Sequence, residues 1–451
     1  MSKNTYVLLV ASVTACGGLL FGFDVGVISG ALLYFGPEFQ LEDLGKEFVT
    51  SAVLVGSFIG ALSAGWLIRR FGGQRSNFIA GCIFIVGALA SAFAPDPESL
   101  AAARVLVGLG VGVTAVAAPL YVAEIAPADR RGLMITLFQL FITIGIVLSY
   151  LVDVVAAPHW RVMFGIGAVP GVVLAVGMLF LPQSPRWLIA RGRHAEARTV
   201  LLKTMDQADV DIVLSEAQRE ADTQQNASGG WHVFKQRAAR RALFITTTLA
   251  VFQQLIGINS VIYYAPSIFK AAGFHGDSSA LWATFAVGVV NVLATFITIR
   301  YVDKAGRRTL LIAGLVGMTI ALSVLGLAFH FTTSGATSET LAWTTLGCVM
   351  LYIACFAFSM GPLVWVLIGE MFPQRARGPG NAIAVGGNYA ANFLVGVTFL
   401  SLLAFAGPAI TFFLFAGAAI LNLLFVYFYV PETAGRSLEE IERELQGDEP
   451  A

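Results

Sequence analysis

The sequence predicts an all-α membrane protein: about twelve transmembrane helices in two similar six-helix halves, joined by a cytoplasmic helical linker. Three observations carry that expectation. Of 451 residues, 57% are hydrophobic and only 12% are charged, whereas a soluble domain carries about 25% charged residues. Twelve stretches approach the ~20 apolar residues that a helix needs to cross the hydrocarbon. A segment also repeats at an offset of 246: Glu124-Ile-Ala-Pro-Ala-Asp-Arg-Arg-Gly132 returns as Glu370-Met-Phe-Pro-Gln-Arg-Ala-Arg-Gly378. Parallel repeats of this kind place a substrate site between the halves, near the bilayer midplane.

The first six spans are expected near 7–33, 48–68, 77–94, 99–123, 133–155 and 160–181. The first is too long for a signal peptide, and no small-residue cleavage pattern follows it. Most spans contain Gly or Pro, which membrane helices tolerate better than soluble ones. Residues 182–241 break the pattern: 17 of these 60 are charged, against 39 of the other 391. This segment reads as a soluble linker with short helices near 194–205 and 210–225. The second six spans follow near 242–269, 279–300, 309–331, 341–368, 380–404 and 408–429. Four units result: a six-helix bundle over 1–181, the linker, a second bundle over 242–430, and a tail over 431–451. With both termini cytoplasmic, all but Lys46, Arg104, Arg161 and Lys270 of the 28 basic residues lie in or beside cytoplasmic segments. That bias is the positive-inside asymmetry.

Composition and motifs exclude several classes. Net charge is zero, so no basic footprint for nucleic acid exists. There is no G-x-x-x-x-G-K-[ST] loop for ATP, and neither H-E-x-x-H nor G-x-S-x-G for hydrolysis. Cys16, Cys82, Cys348 and Cys355 lie in apolar runs without ligand spacing and read as packing residues. The chain is not expected to be an enzyme, nor to hold a metal or cofactor.

The polar residues inside the spans carry the chemistry. Asp24 in the first span costs roughly 2.5–3.5 kcal/mol to insert, and such residues mark ion or proton pathways. Arg104 in the fourth span is its natural partner. Burial favours the neutral acid and a close guanidinium favours the carboxylate, so a structure that alternately engages and frees Arg104 would load and unload a proton. A static pair that only locks two helices is the alternative. Gln139 (fifth span), Gln253, Gln254 and Asn259 (seventh), Asn291 (eighth), and Asn388 and Asn392 (eleventh) add uncharged amides. Each amide both donates and accepts, which suits a neutral, hydroxyl-rich ligand. Trp365, after the Gly361-Pro362 break, offers that ligand a flat apolar floor. Glycines at every fourth position (18, 22, 26, 30; 56, 60; 108, 112) mark close helix contacts.

The chain resembles the sugar porter branch of the major facilitator superfamily. The matching segments are Gly17-Gly-Leu-Leu-Phe-Gly-Phe-Asp24, Arg104-Val-Leu-Val-Gly-Leu-Gly-Val-Gly112, Pro182-Gln-Ser-Pro-Arg-Trp187, Gln253-Gln-Leu-Ile-Gly-Ile-Asn259, Tyr263-Tyr-Ala-Pro266, Asp303-Lys-Ala-Gly-Arg-Arg308, Gly361-Pro-Leu-Val-Trp365 and Pro431-Glu-Thr-Ala-Gly435. The resemblance implies monosaccharide transport, with Gln139, Gln253, Gln254, Asn259, Asn291, Trp365 and Asn388 at sugar-contact positions. Asp24 and Arg104 match the proton-coupling pair of bacterial symporters. Glu124, Arg131, Arg307, Arg308, Glu370 and Arg377 match a cytoplasmic charge network that closes the inner gate.

Three departures stand out. The loop after the second span reads Arg69-Arg-Phe-Gly-Gly-Gln74 rather than Asp/Asn-Arg-x-Gly-Arg-Arg. Ile146 replaces a second Gln found in a xylose symporter of the family, and Gln183 replaces a Glu. The leading expectation is a proton-coupled symporter for a hexose such as glucose, acting as a monomer in the cell membrane with sugar, protons and lipid as its partners. A uniporter of the same fold is the rival. A sugar sensor without transport is remote, because sensors usually append long signalling extensions and only about twenty residues follow the last span.

Overall fold

The computed structural model of the chain describes residues 3–125, 131–204, 234–331, 339–373, 376–434 and 438–446, with single positions 207, 210, 214 and 436; within these, the side chains of 3, 4, 131–136, 299, 302, 303, 377, 378, 438 and 439 stand outside the description. Among the described residues there is no strand. That outcome is dictated by lipid, where a lone helix satisfies every backbone group internally.

The first five spans are Lys3–Glu38, Asp43–Phe71, Gly73–Ala92, Pro97–Ile125 and Arg131–Ala156, and the sixth is Trp160–Leu179. The second half supplies Arg237–Tyr263, Asp277–Ala305, Arg307–Phe331 and Glu339–Met371. A single 53-residue helix, Arg377–Tyr429, then bends at Gly407, whose φ of 80° and ψ of 164° are not helical. Pro408 follows immediately, so the long helix crosses twice and the twelve expected spans are present. The linker keeps a helix over His194–Leu201, while most of the expected second helix near 210–225 lies outside the described residues.

Two spans are broken: the tenth, where the Gly361-Pro362 pair predicts a break, and the seventh, where the sequence suggests a continuous run. The seventh interrupts at Gly257 (φ 84°) before Ile258–Tyr263. The tenth interrupts at Ser359 between Glu339–Phe358 and Met360–Met371. Both breaks expose backbone groups inside the bundle, which survive only where protein or a cavity satisfies them.

The glycine stripes decide which helices touch. A Cβ on Gly22 would stand 1.9 Å from the Ile142 carbonyl, and one on Gly30 2.4 Å from Asp153 Cγ, so the first stripe lies flat on the fifth span. Gly56 and Gly60 face Gly108 and Gly112 in reciprocal fashion: a Cβ on Gly56 would meet the Val105 carbonyl at 2.0 Å, and one on Gly112 the Ser57 carbonyl at 2.1 Å. The second and fourth spans therefore pack backbone to backbone, as small-residue stripes allow. Large apolar side chains such as Phe93, Phe180 and Phe405 point outward and exposed, as a lipid-facing belt requires.

The halves touch at the end of the bundle away from the linker. There the buried Glu47 of the second span accepts from Ser401 N at 2.8 Å and from Ser401 Oγ at 2.6 Å. Tyr150 of the fifth span donates to the Ile262 carbonyl at 3.3 Å, and its ring fills the space over Gly288. These contacts join the two halves at that end.

Candidate functional site

In the first half, Arg104 Nη1 donates to Asp24 Oδ1. Both side chains are buried, at 1% and 5% exposure. Arg104 Nε and Nη2 are buried without a partner, so the carboxylate neutralises the guanidinium without exhausting its donors. The Phe164 ring lies 5.6 Å from Arg104 Cζ and adds a cation–π contact. A cavity of about 10 Å³ touches Asp24, bounded by Phe23, Ser91, Val107 and Phe164. That volume accommodates about one water. Tyr263 of the second half is buried and lies within electrostatic reach of both Asp24 and Arg104, beside Asn392.

In the second half, four of the amides form one connected cluster. Asn388 Nδ2 donates to Gln253 Oε1 at 2.8 Å and to the Ala250 carbonyl at 2.8 Å. Gln254 Nε2 donates to Asn388 Oδ1 at 3.2 Å and, more weakly, to Gln253 Oε1 at 3.5 Å. Asn259 Nδ2 donates to Gln254 Oε1 at 2.8 Å. Gln253 Nε2 reaches the broken tenth span and donates to the Met360 and Gly361 carbonyls at 2.7 and 3.3 Å. The helix break thus supplies the acceptors that the amide needs, and the amide supplies the donors that the break needs. Trp365 stands one helical turn beyond Gly361 and is half-buried. Asn291 and Asn392 are buried on the eighth and eleventh spans, and Gln139 is half-buried on the fifth. No charged group belongs to the described cluster, so it matches polar neutral groups rather than an ion.

Residues 10–445 match the sequence profile of the sugar (and other) transporter family. The chain belongs to the sugar porter family of the major facilitator superfamily. It is 41% identical to the galactose-proton symporter of Escherichia coli K12 over 98% of this chain and 95% of that protein. It is 40% identical to the arabinose-proton symporter of the same organism, over 98% and 94%. Among solved structures, the proton:xylose symporter XylE of E. coli, bound to 6-bromo-6-deoxy-D-glucose, superposes with a TM-score of 0.83 at 31% identity, covering 98% of this chain and all of that one. It is a transporter family and not an enzyme family.

The residues expected to form a cytoplasmic charge network lie at the linker end, and the described ones fall on both halves. In the second half, Arg307 Nη2 meets Glu370 Oε1 at 3.2 Å, while Arg308 Nη2 donates to the Tyr427 carbonyl at 2.6 Å. In the first half, Glu124 hydrogen-bonds Ser184 and lies near Arg186. The side chains of Arg131 and Arg377 lie outside the described residues. Two members were missed from sequence. Thr433 Oγ1 donates to Glu370 Oε2 at 2.7 Å. Glu432 accepts from the backbone of Arg307 and Arg308 at 2.8 and 3.1 Å and caps the ninth span. The motif Pro431-Glu-Thr-Ala-Gly435 held both, but only the fold shows what they touch. Glu47 and Tyr263 were also missed, the first because it reads as an ordinary helix-start acid.

The first-half counterpart of this cap explains two of the departures together. Gln183 stands where the second half has Glu432, and Gly73-Gln74 stand where it has Arg307-Arg308. Gln183 Nε2 donates to the Phe71 carbonyl at 3.0 Å, and its Oε1 is buried without a partner beside Gly72. An uncharged amide has replaced the carboxylate in the same register as uncharged residues have replaced the arginines. Gln183→Glu should replace the donor to the Phe71 carbonyl with a carboxylate oxygen and destabilise the protein by roughly 1–3 kcal/mol. A thermal melt of the purified variant reads this directly; an unchanged or higher midpoint would contradict it.

Proposed function

We propose that this chain is a proton-coupled monosaccharide symporter working by alternating access, with a hexose such as glucose as its principal cargo. The observation that carries the proposal is the division of labour between halves: a buried carboxylate–guanidinium pair in one, an uncharged amide cluster in the other. Tyr263 lies within electrostatic reach of the pair and beside Asn392, and would carry the state of the pair toward the amides. A proton on Asp24 would weaken its hold on Arg104 and let the first half move against the second. The amides and Trp365 would meanwhile take the hydroxyls and the apolar face of the sugar. Ile146 lies on the fifth span seven residues from Gln139 and adds no amide, which favours a hexose over xylose. The names of similar proteins support this reading, since the galactose relative transports a hexose with protons and XylE binds a glucose analogue. Both termini face the cytoplasm in this reading, so the end where Glu47 and Tyr150 join the halves is the outer one, and one polypeptide suffices for transport.

The test is uptake into proteoliposomes under an acid-outside gradient, with radiolabelled glucose competed by unlabelled hexoses and pentoses at two pH values. Accumulation above equilibrium with outside alkalinisation is expected. Counterflow of sugar without any pH change would support the uniporter instead.

A further inference from the structure

The first half holds a second buried carboxyl group that the proposed cycle does not use. Asp153, one turn from the outer end of the fifth span, is 1% exposed. Its Oδ2 accepts from Gly30 N at 3.1 Å, Ser29 lies beside it, and its Oδ1 is buried without a partner. The space is built for it, because any Cβ at Gly30 would stand within 2.5 Å of the carboxyl group. Among the described residues no cation pairs with it. Arg104 of the fourth span is committed to Asp24, and Lys270 pairs at 2.8 Å with Asp277 at the start of the eighth span. The titratable groups that face it are Tyr34 of the first span and Tyr150 of its own. An ionised carboxylate in such surroundings is costly, and no cation among the described residues offsets it.

Position connects this proton to movement. Asp153 lies three residues beyond Tyr150, the side chain that seals the fifth span against Ile262 and Gly288 of the second half. Separation of the halves at this end would admit water to both. The spacing 139–146–153 also puts Asp153 on the helix stripe that carries Gln139, since seven residues return to nearly the same face.

We propose that Asp153 is a second proton-binding site, which takes a proton from the outer medium as the outer gate closes and returns it to that side when the gate opens. The assignment to the outer side rests on the orientation proposed above. One proton joins one carboxylate oxygen and later leaves it, and none crosses the membrane by this route. Low outside pH therefore favours the closed outer gate.

Infrared spectroscopy of the full-length protein in detergent tests this without any sugar. In an Asp24→Asn background at neutral pH, a protonated carboxyl C=O band is expected, which Asp153→Asn removes and Asp153→Glu shifts. The shifted band keeps the test valid if Asp153→Asn folds poorly. Spectra indifferent to both substitutions overturn the proposal. In proteoliposomes, Asp153→Asn alone should keep the parent's proton-to-sugar ratio while sugar exchange loses part of its dependence on outside pH. A fall in the ratio overturns it too, because Asp153 would then lie on the transport path. If symport itself fails, the parent's ratio is already zero while the infrared result stands.

Discussion

Replacing Asp24 with Asn is expected to abolish sugar-driven alkalinisation and to leave sugar binding measurable. The amide keeps the shape and an acceptor for Arg104 Nη1 but cannot exchange a proton at any working pH. Among the described residues it also removes the one charge paired with a guanidinium at 1% exposure. Breaking one side of such a buried pair costs about 3–5 kcal/mol, so the variant should also melt at lower temperature. Its proteoliposomes should still equilibrate labelled sugar by counterflow, because the amide cluster in the other half is untouched. Undiminished accumulation against a gradient would leave the Asp24–Arg104 pair as a static clamp between the first and fourth spans.

The second large effect is expected at Gln253. This side chain accepts from Asn388 and donates to the Met360 and Gly361 carbonyls at the break in the tenth span. Gln253→Ala would orphan these groups, at roughly 1–3 kcal/mol for each one left buried. Loss of even one such interaction from the sugar-bound state corresponds to an affinity decrease of roughly 5- to 150-fold. Titration calorimetry with glucose measures this. An affinity unchanged in Gln253→Ala would show that the Gln253 network does not organise the site.

The two predictions draw on different kinds of legibility. Asp24 and Arg104 were readable as a pair because charges inside apolar runs are rare and demand each other. The amides were readable as a set through their neutrality and their concentration in the second half. Glu47 was not readable: it follows Lys46 and Asp43 at a helix start, where an acid is ordinary, and its partner Ser401 lies 354 positions away. Asp153 was passed over for a similar reason. It sits near a span end, where a charge suggests solvent, and only the missing side chain of Gly30 shows that it is enclosed.

Membrane solvation leaves little freedom in secondary structure. Runs of about twenty apolar residues must be helices, and the 246-residue repeat doubles the bundle. Composition, charge and spacing therefore determined the class, the twelve spans and the identity of the polar candidates. The break at Gly257, the pairing of glycine stripes and the contact of Gln183 with Phe71 depended on which helix lies against which. Those choices are made by backbone approach and by hydrogen bonds between residues far apart in the chain. Local sequence carries no record of them until the helices pack.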